Sequence, residues 1–156
     1  MQVLSGNKDI FIDILSEFRG NIKDIFIWEK QAVSQIVKGR MAKGYEFVLC
    51  MGKDNNMTFD YNNFPENNYV PNRQIWYKQG KEQNTEHHST FPEEFAGYFI
   101  KNFTKESDLI YDPMMGIGTT GKMAVMLKRN YIGSEISPKY CKIAEERIKA
   151  ISNPLF

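Results

Sequence analysis

The segment Asp112-Pro113-Met114-Met115-Gly116-Ile117-Gly118-Thr119-Thr120-Gly121 limits the folds open to this chain more than any other. Upstream of it, residues 108 to 112 (Asp-Leu-Ile-Tyr-Asp) form the short apolar run of a buried strand. Downstream, Gly118 to Lys128 changes to helical spacing, with Met123, Ala124, Met126 and Leu127 on one side. Strand, glycine turn and helix in that order put the glycines at the carboxyl end of the strand. In open α/β sheets ligands bind at that end, where the helix start offers free backbone N–H groups and a positive dipole end. The pattern predicts an α/β fold with room for a nucleotide-like cofactor.

Three cofactor chemistries use such a turn, and the neighbouring residues separate them. Gly116-x-Gly118-x-x-Gly121 matches the dinucleotide fingerprint, and Glu135 lies at about the roughly 20-residue offset of an acid that holds a ribose hydroxyl. Gly116-x-x-x-x-Gly121-Lys122 matches most of a P-loop, but Met123 stands where magnesium needs a Ser or Thr hydroxyl. Asp112-Pro113 weakens the dinucleotide reading, because a carboxylate there would face a pyrophosphate. An acid suits a ligand carrying an ammonium group. S-adenosylmethionine has an amino group, a sulfonium charge and a ribose diol, and no phosphate. A fragment of an NAD-dependent oxidoreductase is the weaker alternative.

Asp112 to Thr120 resembles the cofactor motif Asp-Pro-Phe-x-Gly-x-Gly-Thr-Thr of the β-arrangement DNA amino-methyltransferases, which modify adenine N6 or cytosine N4, with Met114 where Phe is usual. Arg129 to Cys141, containing Glu135-Ile136-Ser137-Pro138, resembles the strand and helix that follow in that family. His88-Ser89-Thr90-Phe91-Pro92 resembles its His-Pro-x-x-Phe-Pro segment, with Ser89 in place of Pro. The match is strong over residues 87 to 151. It extends more weakly back to about residue 5, through Trp28, Lys30, Tyr45 and Glu46.

The resemblance implies a partial Rossmann-like S-adenosylmethionine-dependent methyltransferase fold, a mixed sheet with an antiparallel edge hairpin. It implies that Asp112 meets the methionine amino group and that Pro113, Met114 and the turn from Gly116 through Gly118 to Thr119 allow close approach of the cofactor. Glu135 would hold the ribose hydroxyls with Ile136 beside it, and Thr90 and Phe91 would line the methionine side. It further implies one partial domain over 1–156: a helix and edge hairpin at 1–51, a target-recognition-like loop region at 52–86, and a cofactor-binding half at 87–151.

Local chemistry is consistent with these elements. Ile10, Ile14, Leu15 and Phe18 predict a helix that Gly20 can stop. Residues 23 to 30 and 45 to 51 are β-rich runs separated by a polar, basic segment. Thr90-x-x-Glu93 is a capping-box pattern, and Pro92 suits a first helical turn. Phe95, Tyr98, Phe99 and Phe103 then recur at helical spacing, on a helix expected to pack on the sheet. Ser137-Pro138 starts a last helix with Tyr140, Ile143, Ala144, Ile148 and Ile151 as its apolar stripe.

With 156 residues, 42% of them hydrophobic, the chain can bury a core. Its net charge of +1 does not advertise a polyanion partner, so a nucleic-acid surface has to come from local clustering. Cys50 and Cys141 lack a CxxC or zinc spacing and fit a reducing interior. No stretch approaches the ~18 apolar residues of a membrane span, so no membrane is expected and the compartment read is the cytoplasm of a bacterial or phage-like setting. Glu86, His87 and His88 lack a fourth ligand at a known spacing, and no metal site is expected.

Residues 52 to 86 show neither helical nor strand periodicity. They interleave Asn62, Asn63, Asn67 and Asn68 with Tyr61, Phe64, Tyr69 and Trp76. Amides can bond adenine in the major groove and aromatics can stack on an extruded base, although asparagine-rich turns explain the composition equally well. Arg40, Lys43, Arg73 and Lys78 are the candidate phosphate contacts to double-stranded DNA. One motif of the resembled family is missing. Asp-Pro-Pro-Tyr, which accepts hydrogen bonds from the target amine, does not occur, and Asn153-Pro154-Leu155-Phe156 is the only other approach to it.

In the β arrangement that motif precedes the helix and hairpin, so the central catalytic strand is expected to be missing from the fold. The reading is the cofactor-binding portion of a site-specific DNA methyltransferase of restriction-modification type, with no catalytic residue in this chain. It would be inactive without an N-terminal segment or a second chain that supplies the catalytic strand. An inactive methyltransferase-like interaction or inhibitor protein is the alternative.

Overall fold

The structure, a computed structural model, describes residues 8–29, 45–53, 73–75 and 91–152. The described elements fall into two compact units. The first holds helix α1 (Lys8–Glu17) and strands β1 (Ile22–Glu29), β2 (Tyr45–Met51) and β3 (Arg73–Ile75). Helix α1 ends where the sequence predicts, in a turn closed by Asn21 N–H on the Phe18 carbonyl at 2.8 Å. β1 and β2 pair antiparallel, with Ile27 opposite Phe47. Asn21 and Gly52 close one end of the pair, the Gly52 N–H donating to the Asn21 carbonyl at 2.9 Å and the Asn21 side-chain amide to the Gly52 carbonyl at 3.0 Å. Phe26 and Trp28, two residues apart and so on one face of β1, are buried. Phe11 of α1 stacks on Phe47 with ring centroids 5.3 Å apart, which lays the helix on the sheet.

β3 joins β1 in parallel, giving the order β2-β1-β3 with the antiparallel partner at an edge. β3 lies within residues 52 to 86, where the sequence shows no strand periodicity. Three residues are too short to display an alternating pattern, and their pairing comes from β1.

The second unit runs α2 (Glu93–Phe103), β4 (Leu109–Asp112), α3 (Thr119–Met126), β5 (Asn130–Gly133) and α4 (Pro138–Ser152). β4 and β5 are parallel, with Asp112 opposite Gly133, and α3 is the crossover between them. A crossover helix is what parallel pairing demands, since a tight turn can only reverse the chain. α3 packs against both α2 and α4. Among the described residues of this unit, Ala96, Ile100, Ile117, Ala124, Ala144 and Ile148 are the buried apolar ones. Ser137 caps α4 as its sequence suggests, its hydroxyl accepting from Tyr140 N–H at 3.4 Å.

α2 lies against α3, with Ala96, Gly97, Ile100 and Asn102 buried, while its phenylalanines contact one another along the helix from Phe91 to Phe103. Three local expectations change. Pro92 is the N-cap with φ −61° and ψ 150°, one residue before the helix rather than in its first turn, and Glu93 Oε1 makes ion pairs with Lys122 and Arg147. β4 is half-buried on one face and open on the other: Leu109 and Tyr111 are each 60% exposed. In α3 the buried residues are Thr119, Gly121 and Ala124, and Met126 is exposed, since close approach to α4 selects small side chains.

Candidate functional site

β4 and β5, being parallel, bring Asp112 and Glu135 to the same end of the second unit. The ladder continues one step past both strands, with Ser134 N–H on the Asp112 carbonyl at 2.9 Å and Met115 N–H on the Ser134 carbonyl at 3.0 Å. The chain then turns through Gly116 (φ 53°) and Gly118 (φ 80°), both left-handed, and Gly118 is the N-cap of α3. A side chain at Gly118 would be strained in that conformation, and its Cβ would also lie 2.8 Å from the Cβ of Ala144. The glycine therefore serves both the turn and the packing of α4 behind it.

Three side chains hold this turn. Asp112 Oδ1 accepts from Met114 N–H at 3.1 Å, bending the chain at Pro113. Glu135 accepts from two backbone donors, Gly116 N–H at 2.9 Å through Oε2 and Ser137 N–H at 2.8 Å through Oε1. Arg147 of α4 donates Nη1 to the Ile117 carbonyl at 2.8 Å. A carboxylate has about four lone-pair positions, so Glu135 retains acceptor capacity for a ligand hydroxyl.

The same contacts separate the cofactor chemistries. Lys122, which a P-loop would aim at phosphates, pairs with Glu93 Oε1 at 2.6 Å. Gly116 N–H already faces a carboxylate. Two donors that a polyphosphate would need are engaged, and two carboxylates stand at the strand ends, where they favour a cationic ligand. Ile136 and Met114 are 97% and 83% exposed, two apolar side chains open to solvent next to the acid and the turn.

Of the residues singled out by sequence, Asp112, Pro113, Met114, Gly116, Gly118, Thr119, Glu135 and Ile136 come together around the carboxyl ends of β4 and β5, with Thr119 buried in the first turn of α3. Phe91 stands at the entry to α2, its ring 5.4 Å from that of Phe95. Thr90, Arg40, Lys43, Lys78, the His87-His88 pair and Asn153 lie outside the described residues, as does the side chain of Arg73. Among the described residues no three His, Cys, Asp or Glu side chains gather as a metal site would require, and no helix is long and apolar enough to cross a membrane. A groove of about 430 Å³ between Lys101 and Arg129 lies at the opposite end of the strands. Its lysines sit near the carboxyl ends of α2 and α3, where helix dipoles attract cations.

A family model for DNA methylases, N6_N4_Mtase, matches residues 2–146. The chain belongs to this DNA methylase family. It is 50% identical over 64 residues to the orphan methyltransferase M.BamHII of Bacillus amyloliquefaciens, an alignment covering 41% of this chain and 24% of that one. It is 34% identical over 142 residues to the type II methyltransferase M.HinfI of Haemophilus influenzae, covering 82% of this chain and 40% of the relative. The chain thus spans less than half the length of these curated relatives. Its structure resembles that of M1.HpyAVI, solved in complex with SAM, with a TM-score of 0.72 and 26% identity, over 94% of this chain and 71% of that one. The fold is accordingly a partial Rossmann-like methyltransferase fold, and the glycine turn of this DNA methylase family member lies within the residues that the family model matches.

Sequence reasoning missed the partners of Glu93. Arg147 Nη2 reaches Glu93 Oε1 at 3.0 Å across 54 residues of chain, and Lys122 does so across 29. One signal was available: Arg147 falls between Ala144 and Ile148, on the apolar stripe of α4. A cation on such a stripe needs a partner from another element.

Proposed function

We propose that the second unit holds S-adenosylmethionine at the carboxyl ends of β4 and β5, and that the chain is the cofactor-binding part of a DNA methyltransferase acting on adenine N6 or cytosine N4. The observation that carries this reading is Glu135, fixed by two backbone donors beside a turn of left-handed glycines and still able to accept a ribose hydroxyl. The name of M1.HpyAVI's complex and the family of the chain support the choice of cofactor. The engaged Lys122 and the two carboxylates disfavour NAD and nucleoside triphosphates.

The residue roles follow from charge and shape. Asp112 keeps one carboxylate oxygen clear of the Met114 amide for the methionine ammonium. Gly116 and Gly118 let the backbone approach the methionine moiety without a Cβ in the way. Glu135 orients the ribose, exposed Ile136 offers an apolar surface to the adenine, and Thr119 contributes through its backbone. Thr90 and Phe91 line the methionine side, and Pro113 and Met114 complete the rim. When bound, the cofactor supplies a methyl group activated by its sulfonium charge. The protein's part is to fix the donor so that the methyl points at an incoming amine.

Acceptors that make the target amine nucleophilic come, on this reading, from an Asp-Pro-Pro-Tyr-like segment, which is not in this sequence. Arg40, Lys43, Arg73 and Lys78 contact DNA phosphates. Calorimetric titration with S-adenosylmethionine tests the cofactor site. Saturable binding, lost in Glu135→Ala, is the expected result. Absence of binding by folded protein, or unchanged affinity in Glu135→Ala, would refute the assignment. Methyl transfer to DNA is expected only when a polypeptide carrying Asp-Pro-Pro-Tyr is added.

A further inference from the structure

We propose that Glu93, Lys122 and Arg147 form a positioning cluster that sets the shape of the glycine turn from behind. The inference rests on the reading of that turn as the cofactor site. Ile117 lies between the two left-handed glycines and precedes the N-cap of α3, so its carbonyl stands outside the helical ladder. Arg147 Nη1 fixes this carbonyl at 2.8 Å. The other arm of the guanidinium holds Glu93 Oε1 at 3.0 Å, and the same oxygen accepts from Lys122 Nζ at 2.6 Å. All three side chains are largely withdrawn from water, at 19 to 26% exposure.

The geometry assigns the cluster a task beyond joining helices. Glu93 opens α2, two residues after Phe91; Lys122 sits one turn into α3; and Arg147 is on α4. A single carboxylate thus ties the entry of α2 to the glycine turn, the two segments proposed to contact the cofactor. Glycines visit many conformations, and a site built on them loses affinity to the entropy of ordering unless something holds them beforehand. Asp112 and Glu135 hold the turn from the ligand's end. Arg147 holds it from the core, where a ligand does not compete for its hydrogen bonds. The planar guanidinium reaches the carbonyl and the carboxylate from two separate nitrogens held in a rigid fork, a span that a single ammonium nitrogen lacks.

The test compares Arg147→Met, Arg147→Lys and Glu93→Gln in the full chain, with Lys149→Met as a control in the exposed Glu145–Lys149 pair of α4. Two quantities are read: the Kd for S-adenosylmethionine, and amide exchange at Gly116 and Gly118 without ligand. A charged hydrogen bond lost from the turn should raise both the Kd and the exchange rates about tenfold or more in Arg147→Met. Arg147→Lys and Glu93→Gln should fall between it and the wild type, and Lys149→Met should match the wild type. Wild-type exchange and affinity in a folded Arg147→Met would overturn the proposal. If that variant fails to fold, Arg147→Lys decides by the same measure. Exchange needs no cofactor, so a wild-type protein that binds none would refute the cofactor site while the exchange rates still judge the cluster.

Discussion

Gly118→Ala puts a methyl group where both the backbone and the neighbouring helix oppose it. With φ at 80°, an alanine in the left-handed region costs about 1–2 kcal/mol. The new Cβ would lie 2.8 Å from the Cβ of Ala144 and 3.1 Å from its Cα. Backbone atoms of a packed helix cannot rotate aside as a side-chain end can, so overpacking adds about 1–3 kcal/mol. The sum, about 2–5 kcal/mol, is a large share of the ~5–15 kcal/mol by which domains are stable. Gly97→Ala is the matched comparison. Among the described residues its Cβ would meet only the terminal methyl of Met123 at 2.9 Å, and alanine gains about 1 kcal/mol of helix propensity over glycine, so the net change should stay within about 1 kcal/mol. Urea unfolding measures both. With slopes of about 1–3 kcal/mol per molar, Gly118→Ala should lower the midpoint by about 1 M or more, and Gly97→Ala should barely move it. Equal midpoints for the two variants would refute the reasoning, because the left-handed backbone and the rigid contact at Ala144 oppose one alanine, while helix propensity and a flexible contact favour the other.

Two further outcomes follow from contacts away from the turn. Arg129 donates Nε to the Thr104 hydroxyl at 3.0 Å and Nη2 to the Thr104 carbonyl at 2.6 Å, so Arg129→Met should destabilise by about 1–3 kcal/mol, read by thermal or urea unfolding, with cofactor affinity unchanged at the opposite end of the strands. Burial, and then the charge of Asp24, push the Cys50 thiol above its ordinary value of 9.0. The unfolded chain therefore releases this proton more readily than the native one, and the linked stability is intact below pH 9 and falls as pH rises beyond it. Alkylation of Cys50 by iodoacetamide should keep accelerating above pH 9, and a plateau at or below that pH would contradict the raised value.

Features carried by neighbouring residues were legible before any coordinates. The strand, turn and helix around Gly116, the cap at Ser137, the stop after α1 and the β-rich runs of β1 and β2 all depend on local conformational preference or on period, while the antiparallel pairing of those two strands was implied by the family resemblance. Features carried by distant pairs were not. Glu93 reads in sequence as a capping residue three positions after Thr90, and nothing local announces the two cations from α3 and α4 that share its Oε1. The aromatic spacing of α2 does not announce that Ala96 and Gly97, its small buried residues, bring it against α3. The apolar letters of β4 suggested burial on both faces, but alternation leaves Leu109 and Tyr111 open.

The sequence by itself determined the kind of ligand end this chain builds. Glycines at the end of a strand, Asp112 before them and Glu135 after the next strand make a turn that, on the proposed reading, receives a cationic, ribose-bearing ligand, because each residue's chemistry is its own. Tertiary structure alone decided how that turn is held. Parallel pairing of β4 with β5 carries Glu135 to within 2.9 Å of Gly116 N–H, and packing of α4 carries Arg147 to the Ile117 carbonyl. Both contacts join residues at least 19 positions apart, and such distances follow from how helices and strands pack together rather than from the order of the letters.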